Sequence, residues 1–255
     1  MSKSNAMIFK WKYQRKVNLL DINIDSHENF NLEIKCDGES IPFVKKVTLL
    51  GIILDEYLSF DTHTISMCTK VNWKISVLKK SSYLFDLKFR TTLYKLFILS
   101  KYDYCSTLFF HFNDHINYLR LENNYCKTIK TYLNIKIKNL SIEEQLNVLK
   151  PFRLLPLRLR FFQNLTFFVF SLMKEKRLSA LLNVISSYLK ERETRYFFSE
   201  PIFQTNLYKF SFVSITIKLL NNFIYTNTTL TETVFRKNFK ENILFLYNKN
   251  LKYWT

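Results

Sequence analysis

The sequence predicts an α+β protein, with a small N-terminal antiparallel sheet followed by a mostly α-helical region. Three observations predict it. Residues up to about 60 fall into short strand-like runs around the pair Asp37-Gly38. From about residue 62 the apolar positions recur at helical spacing. Pro151 and Pro156 then break the helical stretch in two. The expected divisions are 1–61, 62–150 and 151–255.

AMIFKWK at 6–12 reads as a short strand with Met7, Phe9 and Trp11 on one face. NLEIKCDGESIPFVKKV reads as two strands around a turn, since Asp-Gly is among the strongest short hairpin signals. In VTLLGIILDEYLSF, residues 47–60, Val47, Leu49, Leu50, Ile52, Ile53 and Leu54 predict one strand, ended by Asp55 and Glu56. Gly51 lies inside that run, where a glycine marks a bulge, a bend or a close approach of another backbone. Beyond residue 62, Cys68, Val71, Ile75, Leu78 and Phe85 make one helical stripe. A second helix is expected over 89–100 with Leu93, Leu96 and Phe97 inward. Further helices are expected near 114–133, 141–149, 157–174, 178–192 and 231–247, the last with Thr231 or Thr233 as N-cap.

At 255 residues the chain is long enough for a full core, and 47% hydrophobic with 17% aromatic residues excludes a disordered chain. Glycine (2) and proline (4) are scarce, while Lys, Asn, Ile, Phe and Tyr abound, a bias that an AT-rich coding sequence produces. The formal charge of +17 favours polyanions, meaning nucleic acid or an anionic surface. Two stretches are basic without an acid: residues 1–18 (Lys3, Lys10, Lys12, Arg15, Lys16) and 150–160 (Lys150, Arg153, Arg158, Arg160). Cys36, Cys68, Cys105 and Cys126 are widely spaced, as expected of reduced thiols in an intracellular protein, nuclear or cytoplasmic. FFQNLTFFVFSLM at 161–173 is interrupted by Gln163, Asn164 and Thr166, which predicts a buried helix and no membrane span.

With two glycines there is no phosphate-cradling loop, and no GxSxG occurs. His111, His115, Cys105 and Cys126 match no common zinc module, so no metal site is expected. Asp103, in YDYC, has no adjacent carboxylate, and Asp55, Glu56, Asp61 and Asp86 are scattered, whereas two-metal phosphoryl transfer needs converging carboxylates. Lys70 and Lys74 stand four apart on the first helix. Like charges at that spacing repel, and a phosphate backbone would turn the cost into attraction. Solvated lysines on an exposed face are the plain alternative.

The run VTLLGIILDEYLSFDTHTISMCTKVNWKISVLKK resembles the end of the reverse transcriptase of jockey-like non-LTR retrotransposons. The residues that carry the likeness are Leu50-Gly51-Ile52, Leu58-Ser59-Phe60, His63, Lys70 and Lys74, then Arg90, Leu93, Tyr94, Ile98, Tyr104 and Cys105. KSNAMIF at 3–9 is similar to the family's lysine segment. Arg195, Pro201, Phe210-Ser211-Phe212, Asn222 and VFRKNFKENI at 234–243 are similar to its tail. The resemblance implies that 1–61 is a palm edge with a primer-grip strand at Leu50, Gly51 and Ile52, that 62–150 is a thumb, and that 151–255 is a helical tail. It implies template-primer duplex, RNA or DNA, as the partner, gripped through Lys70 and Lys74, and Lys3 as a relic of the palm lysine. The family uses magnesium on an Asp-Asp turn upstream of that lysine segment. The chain begins at the segment, so the resemblance implies a C-terminal fragment that needs no cofactor and does not polymerise. Two other readings stand beside it: a non-catalytic basic nucleic-acid-binding protein, and a helical interaction protein whose lysines reflect codon bias.

Overall fold

The hairpin expected around Asp37-Gly38 is present, with those two residues themselves outside the described set. Strands β1 (Ile34–Cys36) and β2 (Glu39–Ile41) are antiparallel, and Cys36 pairs with Glu39, so only those two residues separate the strands. The computed structural model describes residues 6–7, 34–36, 39–109, 115–175, 183, 189–192, 195–198, 216–217, 219–221 and 231–251. Of the strand expected over 6–12, Ala6 forms a parallel bridge to Phe43, with its amide donating to the Pro42 carbonyl at 3.1 Å; residues 8–12 lie outside the described set.

The single strand expected over 47–54 is instead a second hairpin. β3 (Lys46–Leu49) turns into β4 (Ile52–Asp55), with Leu49 opposite Ile52. Leu50 and Gly51 form the two-residue turn, with φ of 48° and 81°. Positive φ at both central positions matches the right-handed twist of the flanking strands, and glycine reaches it without the clash that a Cβ brings. Periodicity missed the reversal because Leu50 is apolar, while the turn leaves it 81% exposed.

The chain divides into two compact units, Met1–Ser66 and Met67–Thr255. The helix α1 (Asp61–Lys80) begins in the first and continues through the second. Its expected core stripe is present, with Cys68, Val71 and Ile75 buried. The next rod is composite: α2 (Leu87–Tyr94), a π-helical turn over Lys95–Leu99, and α3 (Ser100–Asp103). Asp86 caps it, accepting from the Phe89 amide at 2.8 Å. Its inner face is not the one expected. Leu96 and Phe97 are exposed, and Thr91, Tyr94, Ile98, Leu99 and Tyr102 are buried. The rod is apolar on two sides, so periodicity did not decide between them; hydroxyl hydrogen bonds on the tyrosine side do.

Those bonds run to α5 (His115–Leu133), which follows a short α4 (Ser106–Phe109). Tyr94 Oη pairs with Thr128 Oγ1 at 2.8 Å, and Tyr102 Oη donates to Asn124 Oδ1. Asn124 Nδ2 in turn donates to Asn72 Oδ1 of α1 at 2.9 Å. Tyr125 Oη donates to the Leu155 carbonyl at 2.6 Å, and its ring meets Tyr102 edge-on. One face of α5 thus binds α1, both segments of the rod, and the connection beyond Pro151.

The short helix α6 (Ile142–Leu149) opens on a capping box between Ser141 and Glu144. A 3-10 turn at Lys150–Phe152 ends it, with Arg153 left-handed at φ 53°, so the break falls at the expected prolines. α7 (Leu157–Glu175) is the buried helix expected from its apolar run: Phe161, Phe162, Leu165, Val169 and Phe170 are enclosed. α8 (Glu232–Leu251) packs on it through Phe235, Phe239 and Tyr247, with Phe170 stacked on Phe235 at 3.7 Å between centroids.

The helix expected over 178–192 is overturned at its end. Leu189–Arg192 is a strand, β5, paired antiparallel with β6 (Arg195–Phe198). Leu-Lys-Glu-Arg has helical propensity, and pairing with the aromatic strand beside it overrides that preference.

Removal of the α5 amide tests the hub. Asn124→Ala leaves the Tyr102 hydroxyl and the Asn72 amide without their partner. It is expected to cost about 2–3 kcal/mol by urea unfolding, well above an exposed Asn123→Ala control.

Candidate nucleic-acid interface

The connection from β4 to α1 is organised by one carboxylate. Asp55 accepts from the amides of Tyr57 (3.0 Å), Ser59 (2.9 Å) and Phe60 (3.1 Å), and from Ser59 Oγ (2.9 Å). Burial alone would raise its pKa, but these donors outweigh it and hold the carboxyl below its ordinary value. Held this way, the loop tolerates Leu58 and Phe60 at φ of 50° and 57°. Phe60 is buried, and its carbonyl starts α1 by accepting from Thr64. His63, also buried, accepts from the Ile53 amide through Nδ1 at 3.4 Å. Leu58-Ser59-Phe60 and His63 are therefore the residues that turn the hairpin into the helix.

The predicted primer-grip residues separate at the hairpin tip. Leu50 faces solvent, Gly51 makes the turn, and Ile52 is 4% exposed, inside the first unit. The absence of a side chain at Gly51 is accounted for by its backbone angle. Lys3 lies outside the described residues, as do the other basic residues of 1–18.

Lys70 and Lys74 are on the part of α1 that belongs to the second unit. Lys70 is exposed and Lys74 half-exposed. Among the described residues no ion pair engages either one. The side of α1 opposite Val71 and Ile75 carries Lys70, Trp73, Val77 and Lys80 at steps of three, four and three, all exposed. Trp73 and Lys80 were not singled out from the sequence, yet the stripe at Cys68, Val71, Ile75 and Leu78 already places them on the outer side.

Half of the other basic run is engaged within the fold. Arg160 grips Asp103 with two guanidinium nitrogens, Nε donating at 2.6 Å, and Asn164 adds a bond to the same carboxylate at 3.0 Å. Arg158 lies over the Tyr118 ring at 4.6 Å from its centroid. Only Lys150 and Arg153 of that run are exposed.

Two of the scattered acids are engaged within the fold. Asp55 is occupied by amides and a hydroxyl, Asp103 by Arg160 and Asn164, and among the described residues no three metal-ligating side chains converge. His111 and the His115 side chain lie outside what is described. Cys126 is buried, which pushes its thiol up to about 11. Among the described residues no helix is long and apolar enough to cross a membrane. Comparison with family models, with curated protein sequences and with solved structures finds no match to the chain.

Two predictions follow from the hairpin and its exit loop. Leu50→Asn puts at the first turn position a residue that accepts positive φ, and is expected to raise stability by about 0.5–1 kcal/mol in thermal and urea unfolding. Asp55 has a depressed folded pKa, so its contribution is present above about pH 4 and is lost as pH falls through the folded value. Asp55→Asn should therefore be less stable than the parent at pH 6. The gap should narrow as urea titrations are repeated toward pH 2.5.

Proposed function

We propose that the chain is the C-terminal part of a non-LTR retrotransposon reverse transcriptase, surviving as a non-catalytic binder of template-primer nucleic acid. The observation that carries the binding is α1, where Lys70 and Lys80 on the outer face and half-exposed Lys74 on its flank stand without acidic partners among the described residues. The family origin is supported by the order and spacing of the residues from Leu50 to Lys74 and from Arg90 to Cys105. The sequence contains no Asp-Asp pair, and Asp103 is engaged by Arg160, so no polymerase chemistry is assigned.

Mechanistically, the helix holds its amines at fixed intervals along one side, and each amine that reaches a phosphate releases a counterion. Contacts to phosphate carry no sequence information, so binding is expected without sequence preference. Like charges at 70 and 74 cost a little in the free protein and are relieved on the polyanion.

Fluorescence anisotropy of a labelled RNA–DNA primer-template tests this. Affinity should fall steeply between 50 and 200 mM salt. Lys70→Glu with Lys74→Glu should weaken binding at least tenfold and flatten the log–log salt slope by about 2. Lys237→Glu with Lys240→Glu makes the same charge change on exposed positions of α8 and should leave the slope unaltered. Equal loss in both variants would reduce the interface to bulk charge. Clean protein with magnesium should extend no primer.

A further inference from the structure

Trp73 is the least expected side chain on the outer face of α1. It is 68% exposed, although its helix has a complete inner stripe at Met67, Cys68, Val71 and Ile75 to receive apolar residues. Tryptophan is on average a strongly buried residue, and this one is left in solvent amid amines. Lys70 precedes it by three positions, Lys74 follows directly, and Val77 and Lys80 continue the same side. Lys70 and Lys80 are separated by about 15 Å along the axis.

An exposed indole flanked by amines that have no ion pair among the described residues suits one ligand chemistry: a base whose face is free, with phosphates on either side. In duplex the base faces are covered by their neighbours, and a side chain on a rigid helix reaches only the backbone and groove edges. A single strand offers both the π-face and the phosphates. An acidic peptide would satisfy the lysines and leave the ring without a counterpart.

We infer that Trp73 is a stacking platform, and that the outer face of α1 takes single-stranded nucleic acid, an unpaired template overhang included, in preference to blunt duplex. This rests on the reading of α1 as the nucleic-acid interface. The lysines supply the ionic part of the binding and the indole a non-ionic part, and the two separate in their response to salt.

The experiment uses the full chain with Trp11→Phe and Trp254→Phe, which leaves Trp73 as the only one of the three tryptophans. Oligothymidylate should quench its emission, and a blunt duplex should quench it far less. Trp73→Ala in the parent should weaken oligothymidylate binding about tenfold, with the log–log salt slope unchanged and duplex affinity nearly so. Trp73→Phe should recover much of the loss. Lys70→Glu with Lys74→Glu should weaken both ligands and flatten both slopes. If Trp73→Ala binds oligothymidylate like the parent while the lysine variant fails, stacking is wrong and the interface stands. If both variants bind like the parent, the interface falls and the stacking with it. Should Trp73→Ala lose its fold by circular dichroism, an unquenched Trp73 at saturating oligothymidylate overturns the inference.

Discussion

The second unit depends on a short run of polar side chains on α5. Asn124, Tyr125 and Thr128 are buried, and each makes a hydrogen bond that leaves its own helix. Apolar packing tolerates repacking as long as volume and pattern are kept, so by itself it selects an arrangement less sharply than buried polar groups do. A buried hydroxyl or amide must meet its partner or cost about 1–3 kcal/mol, so these bonds select one arrangement. That selection explains why the α2–α3 rod turns Tyr94 and Tyr102 inward and leaves Leu96 and Phe97 outside.

The same requirement directs α1. The bond from Asn124 to Asn72 and the burial of Val71 and Ile75 fix which side of α1 is internal, and hence that Lys70, Trp73, Val77 and Lys80 are external. The proposed interface is thus a consequence of core chemistry on the opposite side of the helix. Charge is partitioned by the fold as well. Arg158 and Arg160 lie in a run without acids in sequence, yet one covers a tyrosine ring and the other meets Asp103 from 57 positions away. Of the four bases in that run, Lys150 and Arg153 are the ones left exposed to a polyanion.

Scarcity of glycine has a visible structural cost. Left-handed backbone is still needed at turns and helix ends, and here it falls on Leu50, Leu58, Phe60, Cys105 and Arg153 as well as on Asn134 and Asn139. Each such non-glycine residue costs on the order of 1 kcal/mol, and persists where surrounding bonds over-determine it. The Asp55 carboxylate does this for Leu58 and Phe60. Gly51 sits where a second left-handed residue follows Leu50 directly, and there the chain uses one of its two glycines.

Local pattern alone determined the α+β class, the Asp37-Gly38 hairpin, the inner stripe of α1, the buried α7 and the break at Pro151, because each depends on neighbours a few residues apart. The outward placement of Lys70 and Trp73 was available to the same projection. Tertiary structure decided the rest. The turn at Leu50-Gly51 depends on β3 pairing with β4, and an apolar Leu50 conceals it. The strand at Leu189–Arg192 depends on β6, against its own helical propensity. The inward face of the rod depends on Thr128 and Asn124, more than twenty residues downstream. Periodicity ranks faces by hydrophobicity, and where two faces are equally apolar only a partner across the core can break the tie.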